Sequence, residues 1–415
     1  MLMLAALCSA ARSSLAQPVD DSTLVWLSPV RLDFDRPLYD HCLTLRDGNL
    51  YGVSLVYADS LRPSGLVAHR NLDSFHFVEE PVIRKSNTHT RCWVEPPGTL
   101  YVVWGENRLG EEEAPLDHIY TRHFDFERQV WSPREMIYEN EPFRWHSNAT
   151  SMVRGDQGRA VIAFSDEGRM LLLNRDDEGK WNVMKTELQT RYPALGRAPN
   201  GHVCDAFISF PHTYIKAITS SDESSVLFMC ADDDGHLWKE PVLVSLSADD
   251  QPAHGLFMGV APQGRIHLMW AKKLDRTGDF FSDDEYWHAY SDDGGRQWSE
   301  PSRIPIPEEV WLRSSERLVV LPNGTVHFFF DGIRQRPDPP HLRLTMYHMW
   351  WDGMHWTEPL PMVRGLWSLD PTPVLDASGR MLLLWTQQEE GASEGPLTGW
   401  ATLGPGTFYT VLQVE

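Results

Sequence analysis

Cysteine is scarce: the chain has five in 415 residues, and no two of them form a Cys-x-x-Cys pair. That spacing excludes a zinc-ribbon or thioredoxin-like motif. There are 17 histidines, but no His-x-His or His-x₃-His spacing occurs to suggest a metal site. Neither a metal nor a cofactor is therefore expected. Positive charge is also short, with 37 Lys and Arg against 58 Asp and Glu, a formal net charge of −21. A surface of that sign repels phosphate backbones and anionic headgroups, which excludes nucleic acid and membrane surfaces as partners. It does not exclude an acidic sugar, because a local basic pocket overrides the global field. Past the N-terminus, no apolar run approaches the roughly 18 residues of a membrane span, so no membrane insertion is expected. Linkers, low-complexity stretches and a second domain are missing too, and long helical patterns are almost absent.

The first residues, MLMLAALCSAARSSLAQP, form a short apolar run followed by small residues ending Ser14-Leu15-Ala16. Residues 1–16 are read as a signal peptide cleaved before Gln17, and 17–415 as one domain, secreted or periplasmic. Leu7 before Cys8 argues against lipidation. Cys204 and Cys230 fall on adjacent predicted strands and could bridge. The expectation is that they, Cys42 and Cys92 are small buried residues.

Tryptophan (17), glycine (29) and proline (29) are spread along the chain, which suits many short strands and tight turns. A turn residue, a glycine and then an alternating apolar strand recur at Gly48, Gly98, Gly158, Gly201, Gly264, Gly324 and Gly379. Each reads as a hairpin, because glycine tolerates the positive φ of a tight turn. A second signature interleaves with the first: an aromatic residue with a proline about three positions on. Its copies are Trp26-Leu27-Ser28-Pro29, Phe77 with Pro81, Trp131 with Pro133, Trp238 with Pro241, Trp298 with Pro301 and Trp356 with Pro359; Trp181 lacks the proline. The period is roughly 50–60 residues, that of a four-stranded propeller blade. The seventh hairpin lacks a Trp-x-x-Pro strand behind it, and a spare copy, Leu24–Leu32, stands at the N-terminus. The expected fold is an all-β, seven-bladed propeller of antiparallel blades, its N-terminal strand completing the last blade. Six blades with a decorated terminus is the alternative count.

Before Trp298 the chain reads Ser291-Asp292-Asp293-Gly294-Gly295-Arg296-Gln297-Trp298. This resembles the Asp-box (BNR-repeat) motif S-x-D-x-G-x-x-W of sialidase-like propellers. Ala231 to Trp238 matches except for Ala231, Asp176 to Trp181 is a shortened copy, and Gly353 with Trp356 a decayed one. The resemblance implies that these turns are structural and lie on the face opposite the working one, so Asp233 and Asp293 take no catalytic role.

In a propeller the innermost strand, A, starts beside the axis on the upper face. Residues at those starts should share one funnel: Tyr39, Asp40 and His41; His89 and Arg91; His146 and Asn148; Tyr192; His254; Arg313 and Glu316; Asp370. Ends of strand B add Glu106, Asp166, Lys272, Asp331 and Arg334. Histidine, tyrosine and carboxylates supply acid–base groups, and Arg and Lys pin anionic or hydroxyl-rich ligands. The sialidase pattern would open the first strand A with Arg-x-Pro, where this chain has Tyr39-Asp40-His41-Cys42, and would open the last with its nucleophilic tyrosine, where it has Ser368-Leu369-Asp370-Pro371. Glu316 matches the tyrosine-activating glutamate, and Arg334 can stand for one arginine of the triad. The resemblance thus implies the scaffold without the sialidase mechanism. The residue types also resemble those of seven-bladed polysaccharide lyases such as the ulvan-cutting ones. By that resemblance, His146, Tyr192 and His89 or His123 would act as acid and base, and Arg91 or Arg313 would neutralise a uronate. The expected catalytic set is His146, Tyr192, His89 and Glu316. The expected binding set is His41, Arg91, Asn148, His254, Lys272, Arg313, Arg334 and Asp370. The expected partner is an oligo- or polysaccharide, acidic if the lyase likeness holds. A lectin-like or protein-binding propeller is the alternative.

Overall fold

The computed structural model describes residues 24–34, 38–59, 62–79, 90–95, 98–106, 118–139, 150–154, 160–166, 169–176, 178–198, 200–209, 225–231, 238–246, 253–272, 285–308, 310–333, 343–366, 371–375, 378–387, 392–393 and 406–414. All the elements among them are strands, joined antiparallel into six sheets. Five of these sheets are single blades. The sixth, of seven strands, is two blades joined by one long strand. The molecule is a seven-bladed propeller.

We letter the strands of each blade A to D from the axis outward. Blade one is Leu38–Arg46, Asn49–Asp59, Arg62–Arg70 and Asp73–Glu79. Blade two is Arg91–Glu95, Thr99–Glu106, His118–Asp125 and an outer strand in two pieces, Val130–Trp131 and Glu135–Glu139. Blade three has Thr150–Arg154, Ala160–Asp166 and Arg169–Arg175 inside Trp181–Arg197. The first half of that last strand is D of blade three and its second half is A of blade four. Val203–Ser209, Ser225–Cys230 and Val242–Leu246 complete blade four. Blade five is Ala253–Val260, Ile266–Lys272, Glu285–Ser291 and Ser302–Arg303, and blade six Trp311–Val320, Val326–Ile333, Arg343–Trp351 and Leu360–Leu366. Blade seven takes Thr372–Leu375, Met381–Gln387 and Gly406–Val414 from the C-terminus. Its outer strand is the N-terminal Leu24–Trp26, with Leu24 opposite Val414, followed by Val30–Arg31. The spare N-terminal copy therefore closes the ring and removes two exposed sheet edges.

Local chemistry sets each blade. At the A–B turn of blade six, Gly324 adopts φ +88°, and its N–H donates to the Leu321 carbonyl at 2.9 Å. At the C–D turn of blade five, Asp293 Oδ1 accepts the Arg296 and Gln297 amides, both at 2.9 Å. Ser291 Oγ accepts the Gly295 amide at 2.9 Å, and Trp298 Nε1 donates to the Gly295 carbonyl at 3.1 Å. Asp125, Asp176 and Asp352 accept turn amides in the same way in blades two, three and six. The device thus extends to blade two, where the motif is not legible. Asp233 lies outside the described residues.

The aromatic of the outer strand is a wedge between blades. Trp298 packs on Phe228 of blade four, Trp181 on Trp93 of blade two, and Trp26 on Phe329 and His348 of blade six. Phe77 differs: it is 45 % exposed on the outer strand of blade one. The cysteines also depart from expectation. Cys204 bridges Cys230 directly opposite it on the next strand, with Cα atoms 3.9 Å apart, and Cys42 bridges Cys92 on strand A of the next blade. They are crosslinks and not free buried thiols.

Candidate functional site

A regular strand turns alternate side chains to opposite faces, so an extra residue re-aims whatever follows it. Among the described residues, strand A carries such an irregularity near its upper end in four blades. In blade one the register slips between Tyr39 and Cys42, in blade four between Arg191 and Ala194, and in blade five between His254 and Leu256. Blade six slips between Arg313 and Arg317, opposite Asp331 and Phe329, which leaves two residues over. These bulges fall on the positions that the repeat assigns to the funnel mouth. Tyr192 lies inside one of them at φ +53°, a left-handed conformation that costs a non-glycine residue about 1–3 kcal/mol.

On the wall formed by blades five and six, the Tyr286 hydroxyl donates to Glu316 Oε1. Tyr286 is the second residue of strand C of blade five and is 2 % exposed, and Glu316 belongs to the blade-six bulge. The bond therefore fastens the bulge to the neighbouring blade. Arg317 Nη1 donates to the Glu316 carbonyl at 2.8 Å. Across strands A and B of blade six, Arg313 stands opposite Asp331, whose carboxyl is buried. Lys272 ends strand B of blade five opposite Glu285, with Nζ 4.5 Å from the Trp287 ring centroid. Glu285 in turn pairs with Arg303 at 3.2 Å. This wall thus combines a carboxylate, a phenol and an ammonium group, the kinds of group that transfer protons and orient hydroxyl-rich ligands.

Of the expected residues, Tyr192, Glu316, Arg91 and Lys272 lie at the upper strand ends. The Arg91 guanidinium donates to the Thr90 carbonyl at 3.0 Å. His254 and Arg313 occupy the start of strand A in their blades. His41 also makes contacts between blades. It is 8 % exposed, with Nδ1 2.8 Å from Ser54 Oγ and Nε2 3.1 Å from Thr386 Oγ1 of blade seven. Its ring joins the first blade to the last. His89, His146, Asn148, Arg334 and Asp370 lie outside the described residues. Tyr286 is the residue that the sequence reading missed. Its signal was available: strands C also start on the upper face, and Tyr286 stands opposite Ala271 near the end of strand B.

No protein-family model and no curated protein matches the chain. Solved structures do match. A polysaccharide lyase described as an ulvan lyase bound to GlcA(1-4)Rha3S superposes with a TM-score of 0.59 at 11 % identity, over 89 % of this chain and 96 % of that one. The polysaccharide lyase Uly1 gives a TM-score of 0.52 at 10 % identity, over 91 % and 90 % of the two chains. The likeness is one of fold. At this identity it confirms the ring of blades, and the chemistry has to be argued from the side chains.

Proposed function

We propose that this chain is a carbohydrate-active propeller that holds an oligo- or polysaccharide in its axial funnel and cleaves it by acid–base chemistry, with β-elimination on an acidic glycan as the favoured reaction. What supports the reading is the set of bulges at the starts of strand A, which fall at one end of the axis on positions held by chemically different residues. A multivalent lectin would repeat one pocket in every blade. Here Tyr192 of blade four, His254 of blade five and Arg313 with Glu316 of blade six differ, which favours a single central site. In the elimination, a base removes the proton beside the uronate carboxylate and the electron pair forms the ring double bond. The glycosidic C–O bond breaks, and an acid protonates the leaving oxygen. The proton is acidic enough only when the carboxylate charge is quenched. Arg91 or Arg313 supplies that cation, and Tyr192, His146 and His89 supply base and acid. Glu316, held by Tyr286, shapes the opposite wall.

The Ser291–Trp298 turn, with its carboxylate and indole bonds, supports a place among Asp-box propellers. The two disulfides support an oxidising compartment, in line with export directed by residues 1–16. The test is incubation with ulvan, other uronate polymers, sialosides and arabinans. Unsaturated uronate, seen by its ultraviolet absorbance, is expected. New reducing ends without that absorbance would make the protein a hydrolase. Binding on a glycan array with no product from any substrate would make it a lectin.

A further inference from the structure

The residue four places after each A–B turn glycine faces the preceding blade. In six blades it is Gly52, Val102, Ile162, Leu268, Phe328 or Leu383, as the packing of blade on blade requires. In blade four it is Asp205. This carboxyl lies at 0 % exposure between the apolar faces of blades three and four, flanked by Val203 and Phe207. Neither of its oxygens has a hydrogen bond of normal geometry, and the polar group set against it is the Ala194 amide. Burial raises its pKa well above the ordinary carboxylate range, because desolvation disfavours the charged form.

Asp205 stands opposite Leu195, immediately past the bulge that contains Tyr192 and Pro193. A bulge interrupts the ladder and leaves the following amides in need of other acceptors. The Leu195 amide finds one in Ser151 Oγ, at 2.8 Å, on strand A of blade three. The Ala194 amide faces the Asp205 carboxyl. A side chain of the neighbouring blade therefore receives one of the two amides that follow the bulge, and the other lies against a buried carboxyl, while Tyr192 keeps a left-handed backbone that an aromatic residue adopts only when its surroundings dictate it.

We propose that Asp205 and Ser151 are positioning residues that lock the blade-four bulge and so aim Tyr192 into the funnel. The proposal rests on the reading of Tyr192 as a site residue, and the experiment separates the two. The full chain is labelled with 3-fluorotyrosine, and the Tyr192 resonance is assigned from a Tyr192→Phe sample. Hydrogen exchange is followed at the Ala194 and Leu195 amides. Asp205→Leu installs the side-chain type of the other blades and is expected to fold, to exchange those amides about tenfold faster, to shift the Tyr192 signal and to lower kcat on ulvan more than it alters KM. Asp205→Asn, neutral and of the same shape, is expected to restore all of these. Should the leucine variant fail to fold, Ser151→Ala carries the test, with about tenfold faster exchange at Leu195 and a moved Tyr192 signal. Unchanged exchange and an unmoved signal in the folded variant overturn the proposal, whether or not ulvan is cleaved. A moved signal in a protein that cleaves no polysaccharide leaves the positioning role standing and removes the reading of the site.

Discussion

Tyr192 spends backbone energy to stand where it does, and Glu316 is held by a phenol from another blade. Both facts give predictions about single atoms. Tyr192→Phe keeps the ring and loses only the hydroxyl. The expected result is an unchanged melting temperature with turnover reduced about 100-fold or more, the usual share of a general acid or base; steady-state kinetics on the cleaved polysaccharide checks it. Tyr286→Phe deletes the hydroxyl that donates to Glu316, a charge-assisted bond to a half-buried carboxylate. Its expected cost is about 1–3 kcal/mol in urea unfolding, together with a fall in kcat/KM. Neither the Tyr286–Glu316 bond nor the Tyr192 bulge was legible in the sequence. The first joins residues on different blades. The second depends on a register that only pairing with the neighbouring strand fixes.

Elements were far more legible than contacts, because glycine and tryptophan mark the turns that make them. The C–D turn of blade five shows why the marks can be trusted. Gly295 has φ +88°, and a Cβ there would come within 1.9 Å of Phe228 Cε1. Gly295→Ala therefore meets both a backbone and a steric barrier, with an expected loss of about 2–4 kcal/mol in denaturant unfolding. Asp293→Ala removes the acceptor for two turn amides and is expected to cost about 1–2 kcal/mol. Turnover should stay as in the wild type, since this turn lies on the face away from the funnel. The Cys42–Cys92 bridge escaped the reading for a different reason. The two residues are 50 apart, close to one repeat, but only the arrangement of blades around the axis brings their innermost strands side by side.

At the scale of the whole ring, neutral histidines are part of the cement between blades. His267 Nδ1 lies 3.1 Å from His288 Nε2 in blade five, and His327 Nδ1 lies 2.8 Å from His348 Nε2 in blade six. In each pair one imidazole donates to the other, and an aromatic from the next blade, Trp351 or Trp26, packs against it. Burial pulls His69, His288 and His327 down to about 3, aided by His41 near His69 and by Arg265 near His288. Burial also lowers His267 and His348, each with help from its partner. These groups are neutral in both states above pH 6.5. Below that value the unfolded chain takes up protons that the folded one refuses, so stability falls as pH drops from 6.5 toward 3. Each imidazole contributes about 1.4 kcal/mol per pH unit in that window. Urea midpoints measured from pH 7.5 to 4.5 should fall steeply below pH 6.5, and replacing the His327–His348 pair with Phe and Leu should flatten the slope.

Ring closure also imposes an order of assembly. Leu24 leaves the ribosome long before Val414, the residue it pairs with. Until then the outermost position of the seventh blade is empty, and a strand with unpaired amides and carbonyls waits at each side of the gap. A contact between residues so far apart in sequence is the slowest kind to form. During that interval the open edges are what a chaperone, or a second nascent copy, would meet.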